Sequence, residues 1–557
     1  MNRALVSAFC LIAAASATAQ PVYHTSPDWE SADTEVSTGA ALVDLDRDGW
    51  LDLVVANGND IYQQHLAVYY NDGEGAFPAV PDWQSDDSAY NGHLDVADVN
   101  GDGWMDVAVA HLGEFSTYAP IAKLYLNNAG VLTSTPIWES DIVGNAFGVA
   151  FGDMNNDGRP DLAVATGWSY SPQHYYNNYV YLNVDGALEE TASWVSDDEY
   201  HYQGVLWVDG DDDGWQDLVG AAGRTYSRLY RNLGGTLETT ASWATADNPD
   251  QDAIMATAGD VTGDGVVDLF ITDNTQLGGS GRIRQYTGLS DGLFDDEYSW
   301  SYYEGYGSAV ALADVNNDDM LDLATGSWWG NGHLFYNTGS GLPASPSWTS
   351  SANSVIEKIV FGDVDPACGI ELVFSEPFEP DGDRTLFHLP VQPIQGLVSV
   401  VRDGVELAPD EYTWSRERGW ISLDGPPAES LVVTYRHSHS MDMAVSNWDS
   451  DEGNYLYYNQ LFDDCNNNGV PDGCDIYNGT SEDNNGNGIP DECECPADFD
   501  GDGDVDTADL LFLLGAWGTG EGDVDGDGDT DTADLLALLA AWGECQEGKA
   551  GTGKAER

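Results

Sequence analysis

Two features recur in step along this chain, and their repetition restricts the fold more than any composition does. A Trp followed by a short polar stretch stands at Trp29, Trp83, Trp138, Trp194, Trp243, Trp300 and Trp348. About fifteen residues after each, an acidic loop begins, at Asp44, Asp98, Asp153, Asp209, Asp260, Asp314 and Asp363. Two registers that keep step through seven copies of roughly fifty residues mark a duplicated structural unit, so the fold must be built by stacking that unit.

Each unit reads as strands. An apolar run enters the loop, as in Ala146-Phe147-Gly148-Val149-Ala150-Phe151, and another leaves it, as in Asp161-Leu162-Ala163-Val164-Ala165. A third run such as Tyr179-Val180-Tyr181-Leu182-Asn183 follows, then a Gly-containing turn. Short strands between Gly, Asn and Asp clusters predict four-stranded antiparallel units, each too small to bury its own face. The expected fold is therefore all-β: a seven-bladed β-propeller rather than a linear solenoid, whose repeats are normally shorter. An eighth, degenerate blade is the alternative. It would use Trp414, Asp442-Met443-Ala444-Val445 and Tyr455-Leu456-Tyr457-Tyr458-Asn459, completed by the N-terminal strand near Val22 and Tyr23. Otherwise residues near 392–437 form a small β insertion in the last blade.

The loops carry the chemistry. The first places Asp44, Asp46, Asp48 and Asp52 at relative positions 1, 3, 5 and 9, with Gly49 at 6 for a sharp turn. Hard oxygen ligands at this spacing converge on one cation, and Ca²⁺ tolerates the irregular coordination that results. The pattern recurs as Asp98, Asn100, Asp102 and Asp106, as Asp153, Asn155, Asp157 and Asp161, and as Asp209, Asp211, Asp213 and Asp217. Asp260, Thr262, Asp264 and Asp268 make a fifth loop; Asp314, Asn316, Asp318 and Asp322 make a sixth, with Asp319 in place of the turn Gly. Two carboxylates about 4 Å apart repel by about 1 kcal/mol even in water. Four in one loop form six such pairs, a cost that solvated turns have no reason to carry repeatedly. The seventh loop keeps Asp363 and Asp365, but Ala367 and Cys368 replace the next acid and the Gly, and Glu371 ends it, so no metal is assigned there.

These loops resemble the FG-GAP repeats of integrin α-subunit propellers and the related VCBS repeats of secreted bacterial proteins. Phe151-Gly152-Asp153 and Phe361-Gly362-Asp363 carry part of that signature. The resemblance runs from about residue 21 to 391 and implies metal loops that brace each blade's hairpin, with ligand contacts made by other loops. The repeated Trp residues are read as packing. Non-repeated aromatics, Trp168, Tyr170, Trp328 and Trp329, are the preferred candidates for an exposed ligand face.

After Leu461 the composition shifts to Asp, Asn, Gly and Cys. Asp464, Asn466, Asn468 and Asp472 keep the 1, 3, 5, 9 spacing, and Asp483, Asn485, Asn487 and Asp491 repeat it. This stretch, 463–495, resembles thrombospondin type 3 repeats, which implies a calcium-organised linker. Asp498, Asp500, Asp502, Asp506 and Asp509 then fall at positions 1, 3, 5, 9 and 12, as do Asp523, Asp525, Asp527, Asp531 and Asp534. Each set precedes a helical apolar run ending in Ala-Trp-Gly, at Trp517 and Trp542. Loop then helix, in tandem, is half of an EF-hand repeated. Residues 496–546 resemble a type I dockerin, which implies a small α-helical calcium domain and a cohesin-like partner. Thr507-Ala508 and Thr532-Ala533 stand at the contact positions; a calcium-stapled cap without a partner is the alternative.

Charge and targeting bound the setting. With 18 Lys and Arg against 96 Asp and Glu the net charge is −78, which excludes nucleic acid as a main partner. Residues 1–19 read as a signal peptide, with Arg3 as the basic region, Ala4 to Ala15 as the apolar run and Ala17-Thr18-Ala19 as the cleavage site. No later segment has the length of apolar run that spans a bilayer, so a transmembrane chain is not expected. Six cysteines follow the leader (Cys368, Cys465, Cys474, Cys493, Cys495 and Cys545), an even number compatible with disulfides whose pairing the sequence leaves open.

The expected organisation is a leader, propeller repeats over 20–391, a β insertion and closing blade over 392–462, the calcium linker, the dockerin-like domain, and a tail over 547–557. The expected function is that of a secreted or envelope-associated, calcium-binding protein for adhesion or binding of a polysaccharide or surface protein. The alternative is a polysaccharide lyase or glycoside hydrolase, because propellers host such enzymes too. No catalytic residue is assigned: there is no nucleophile elbow or HExxH motif, and the ten His residues do not cluster.

Overall fold

A computed structural model describes residues 22–33, 35–73, 77–113, 119–167, 177–246, 251–339, 341–364, 372–378, 382–438, 440–449, 452–459, 481, 504–505, 507–517, 530, 532–540 and 543–544. Strands dominate. Each repeat folds as a four-stranded antiparallel sheet in chain order. The first comprises Ser37–Val43, Asp52–Asn57, Leu66–Tyr69 and Trp83–Gln84. Four more follow the same pattern, the last being Ala256–Gly259, Asp268–Ile271, Arg282–Tyr286 and Trp300–Tyr303.

The remaining ring strands form one eight-stranded sheet that resolves into two sets of four. Gly307–Ala313, Asp322–Gly330, His333–Phe335 and Trp348–Thr349 make one set, joined through Trp328↔Val355 to the other. That other set is Ser354–Gly362, Asp442–Asn447, Tyr455–Tyr457 and, as its outer strand, Trp29–Glu30 from the start of the described chain. Tyr23 bridges Asn459 beside it. Early and late sequence therefore share one sheet.

The first strands of successive sheets pack side by side, and that of the last packs on that of the first. The sheets thus surround an axis, an arrangement consistent with a β-propeller. Crowding there demands small residues. A Cβ on Gly148 would lie 2.6 Å from the carbonyl oxygen of Gln203 on the next sheet, and one on Gly204 would lie 2.8 Å from that of Ile254. The apolar core is divided into layers between neighbouring sheets. Leu42, Leu53, Val360 and Leu456 fill one, and Val54, Val68, Val107 and Val109 fill the next.

The repeated Trp residues sit in these layers. Trp29 meets Tyr69 of the following sheet edge-on at 5.6 Å, and its Nε1 donates to Phe77 O at 2.9 Å. Trp138 does the same with Tyr181 and Glu189 O, and Trp348 with Tyr457 and Tyr23 O. An indole suits this wedge because its apolar rings fill the layer while its N–H satisfies a carbonyl.

Between the first and second strands of the seventh set, the chain departs to build two small sheets with their own core. One pairs Leu372–Phe378, Leu431–His437, Gly396–Arg402 and Val405–Glu406; the other pairs Leu386–His388, Trp420–Leu423 and Tyr412–Ser415. Phe387, Ile421, Leu431 and Tyr435 are buried among them. The inserted strands begin at Leu372, twenty residues before the expected boundary at 392, because Leu372–Phe378 pairs along its whole length with Leu431–His437. Trp414 belongs to this insertion, while Asp442–Asn447 and Tyr455–Tyr457 belong to the ring. The strands expected for an eighth blade are therefore divided between the two.

Near the C-terminus two helices, Thr507–Gly515 and Thr532–Ala540, meet through Leu513 and Leu538 beside Val505. Asp504–Val505 pairs with Gly543–Glu544. The leader, the six cysteines and the linker acids Asp464 to Asp491 lie outside the described residues, as do Asp498, Asp500, Asp502, Asp506, Asp523, Asp525, Asp527 and Asp531. Asp509 and Asp534 lie within the helices.

Candidate metal centre

Each of the first six acidic loops joins the first and second strands of a sheet, and its geometry repeats. The turn itself is held by the position-1 carboxylate. The Gly49 N–H donates to Asp44 Oδ2 at 3.2 Å, Gly103 to Asp98 at 2.6 Å, Gly158 to Asp153 at 2.8 Å and Gly214 to Asp209 at 3.0 Å. Gly49 and Gly103 have φ of 102° and 86°, the left-handed region where a side chain is strained. In the sixth loop Asp319 adopts φ 62° in the glycine's place and still donates to Asp314, at 2.9 Å.

The position-9 carboxylates behave differently from simple loop ligands. Asp52 begins the second strand and accepts two backbone N–H groups, from Leu45 and from Asn71, both at 2.9 Å. Asp106 accepts from Val99 and Asn127, Asp161 from Met154 and Asn183, and Asp322 from Val315 and Asn337. Both oxygens are thus committed to the sheet, leaving second lone pairs for any cation.

Positions 1, 3 and 5 converge. One carboxylate oxygen each from Asp44, Asp46 and Asp48 lies within 4.8 Å of the others, and Asp209, Asp211 and Asp213 form the same cluster. Asp44 Oδ1 is buried without a hydrogen-bond partner. The other four loops have Asn100, Asn155, Thr262 or Asn316 at position 3, so each offers fewer acids. There Asn100, Asn155 and Asn316 turn an amide donor onto the position-5 acid, at 3.0, 3.1 and 3.3 Å.

Burial dominates the electrostatics. It pushes Asp52, Asp106, Asp217 and Asp322 up to about 8. Asp44 rises to about 6 through burial and then the charge of Asp48; Asp98 rises to about 6 and Asp209 to about 7, again chiefly through burial. Asp153 and Asp161 are both raised chiefly by burial, Asp161 further by the charge of Asp153 and Asp153 by that of Asp157. Such sites hold anionic charge poorly unless a cation or proton accompanies it. The oxygen-only donor sets fit a hard divalent cation such as Ca²⁺.

The fourth loop has a protein cation at its edge. Arg384 Nη2 lies 3.5 Å from Asp209 Oδ2 and also bonds Asp212. His388 stands 3.9 Å from the same carboxylate.

Two features were placed differently or missed by the sequence reading: Asp442, read there as opening a strand of an eighth blade, and a recurring Asn. The seventh sheet has a position-9 acid in Asp442, which accepts from Val364 and Asn459, each at 2.8 Å, while Glu371 lies outside the described residues. The insertion separates it from Asp363. The second is a recurring Asn at the end of the third strand. Besides donating its backbone N–H to the position-9 acid, it reaches the preceding sheet's loop through its side chain. Asn127 Nδ2 donates to Leu45 O at 2.8 Å, Asn183 to Val99 O at 2.7 Å, Asn232 to Met154 O at 2.7 Å and Asn337 to Val261 O at 2.6 Å. Asn71 donates to Val364 O at 2.6 Å, linking the first sheet to the last. In the fifth sheet Gly288 takes that position and gives only its N–H to Asp268. The signal was present as Asn71, Asn127, Asn183, Asn232, Asn337 and Asn459, all just after an apolar run.

Of the non-repeated aromatics, Trp328 is not on a ligand face. It is 4% exposed, packs on Trp448 and donates to buried Glu357 near the axis. Trp329 is exposed, whereas Trp168 and Tyr170 lie outside the described residues.

Residues 44–109, 116–164 and 209–271 match the FG-GAP-like repeat family, so the chain carries FG-GAP repeats over at least these stretches. No curated protein matches it. Among solved structures, BBS1N in complex with ARL6DN, soaked with mercury, is 11% identical with a TM-score of 0.41, covering 62% of this chain and 92% of that one. The computationally designed Ika8 protein is 10% identical with a TM-score of 0.39, covering 77% and 98%. No helix among the described residues is long and apolar enough to cross a membrane.

Proposed function

We propose that this protein is an exported, calcium-braced, seven-bladed β-propeller that binds an extracellular polysaccharide or surface protein and is attached through its C-terminal module. The convergence of positions 1, 3 and 5 around a partnerless, buried Asp44 oxygen supports the calcium reading most directly. Bound Ca²⁺ would be held by the six propeller loops, neutralising their carboxylates, and its role is structural. The 463–495 linker and the two C-terminal loops would take further ions, by their spacing alone.

The attachment reading rests on the two helices. Leu511, Phe512, Leu514, Leu536 and Leu539 are exposed around Thr507 and Thr532, an apolar surface suited to a cohesin-like partner. Binding is favoured over catalysis because the converging carboxylate groups among the described residues lie in the loops read as metal sites. A glycan array with product analysis tests this: retained, unaltered glycans are expected, and shortened or unsaturated sugar products from a catalytic amount of protein would replace the binding role by a lyase or hydrolase.

A further inference from the structure

The insertion does not stand apart from the ring; it rests on the acidic-loop face. Asp410 lies against Gly101 of the second loop and Asp424 against Gly158 of the third. At the fourth loop the contact is ionic. Arg384 bonds the Asp212 carboxylate, and its Nη2 lies 3.5 Å from Asp209 Oδ2. Its Nε donates to Leu386 O at 2.6 Å, which fixes the guanidinium to the inserted strand Leu386–His388. Buried Leu386 and Phe387 anchor that strand in the insertion.

The first and fourth loops make a natural pair. Both carry Asp at positions 1, 3, 5 and 9, and in both the first three carboxylates converge. They differ in the cations beside those acids. In the fourth loop Arg231 Nη1 stands 3.8 Å from Asp211 Oδ2, and Arg384 stands on Asp209. Two of its three converging acids therefore already face a guanidinium. In the first loop Arg47 reaches out instead: its guanidinium lies 4.5 Å above the Trp104 ring of the second loop. Asp212 stands at position 4 of the fourth loop, outside the ligand spacing, so it holds Arg384 there without supplying the ion.

A dication at the fourth loop would share Asp209 with Arg384, and two like charges on one carboxylate oppose each other. That opposition is reciprocal: whatever Arg384 takes from the affinity for Ca²⁺, Ca²⁺ takes from the hold of Arg384 by the same factor. We infer that Arg384 makes the fourth loop the weaker of the two all-aspartate sites, and that Ca²⁺ entering it loosens the insertion's grip on the ring. The inference rests on the calcium reading above. It gives the chain a graded response. A low Ca²⁺ level fills the first loop and braces the ring, and a higher level frees the strand beside Arg384 from the fourth.

Hydrogen–deuterium exchange of the full chain, read by mass spectrometry over a series of free Ca²⁺ concentrations, tests it with the first loop as internal reference. Peptides over 44–52 should gain protection at about tenfold lower Ca²⁺ than peptides over 209–217, a coupling of ordinary size. Peptides over 384–388 should exchange faster as those over 209–217 slow. Arg384→Gln should bring the 209–217 midpoint down by about tenfold and leave that of 44–52 in place. Arg384→Lys, which keeps a cation there, should stay near the unaltered chain. A 209–217 midpoint that Arg384→Gln does not move, or that Arg384→Lys moves equally, would overturn the inference. So would two loops gaining protection together in the unaltered chain, or unchanged exchange over 384–388, and these two readings need no variant to fold. If 44–52 still responds to Ca²⁺ in those cases, the calcium reading stands without the inference; if neither loop responds, the calcium reading has failed first.

Discussion

At the scale of single residues, the molecule depends on side chains that serve two sheets at once. Asn127 joins its own Asp106 to the Leu45 carbonyl of the preceding sheet, and its Oδ1 accepts from Gly130 at 2.8 Å. Replacing it with Ala removes both side-chain bonds and strands a buried carbonyl. Asn127→Ala should therefore lower stability by about 1–3 kcal/mol in denaturant titration. The position-9 carboxyls make a second prediction, for the chelated protein. Burial raises Asp52, Asp106, Asp217 and Asp322 to about 8, whereas unfolded Asp titrates near about 4. Between those values the folded state holds protons the unfolded chain has released, so stability is fullest below the lower value and is lost as pH rises through the upper one. Melting temperature in EDTA should fall from pH 5 to pH 8, and Ca²⁺ should flatten that trend by taking the proton's place.

The elements show what the sequence could and could not disclose. The loops, the strands beside them and the Trp wedges were legible because each is a local pattern, repeated at a fixed spacing. Asp442 was not, because the insertion places it 79 residues beyond Asp363, far outside the loop it completes. The Asn latches were visible as letters but not as contacts, since their partners lie in the preceding sheet. Close packing at the axis is similarly non-local. Gly148→Ala places a Cβ against Gln203 O of the next sheet, and overpacking of this kind costs about 1–3 kcal/mol. The same change at Gly396, where a Cβ meets nothing within 4 Å, should be nearly neutral. A paired denaturation experiment separates the two.

For the whole molecule, the ring is closed where an early strand joins a late one, and the acidic loops share one side of its sheets. Trp29–Glu30 seals the sheet that holds Tyr455–Tyr457, and Asn71 ties that sheet's Val364 back to the first. The −78 charge opposes compaction everywhere, and the loops concentrate that opposition on one side. A ligand that binds only the folded state stabilises it by mass action, so several calcium sites filled together should move the unfolding transition far more than one. The decisive measurement is the thermal unfolding of the purified chain in excess EDTA and in millimolar Ca²⁺ at pH 7.5. A calcium-braced ring predicts a transition many degrees higher with Ca²⁺, restored when Ca²⁺ is returned to the chelated protein. Superimposable transitions in the two conditions would contradict it.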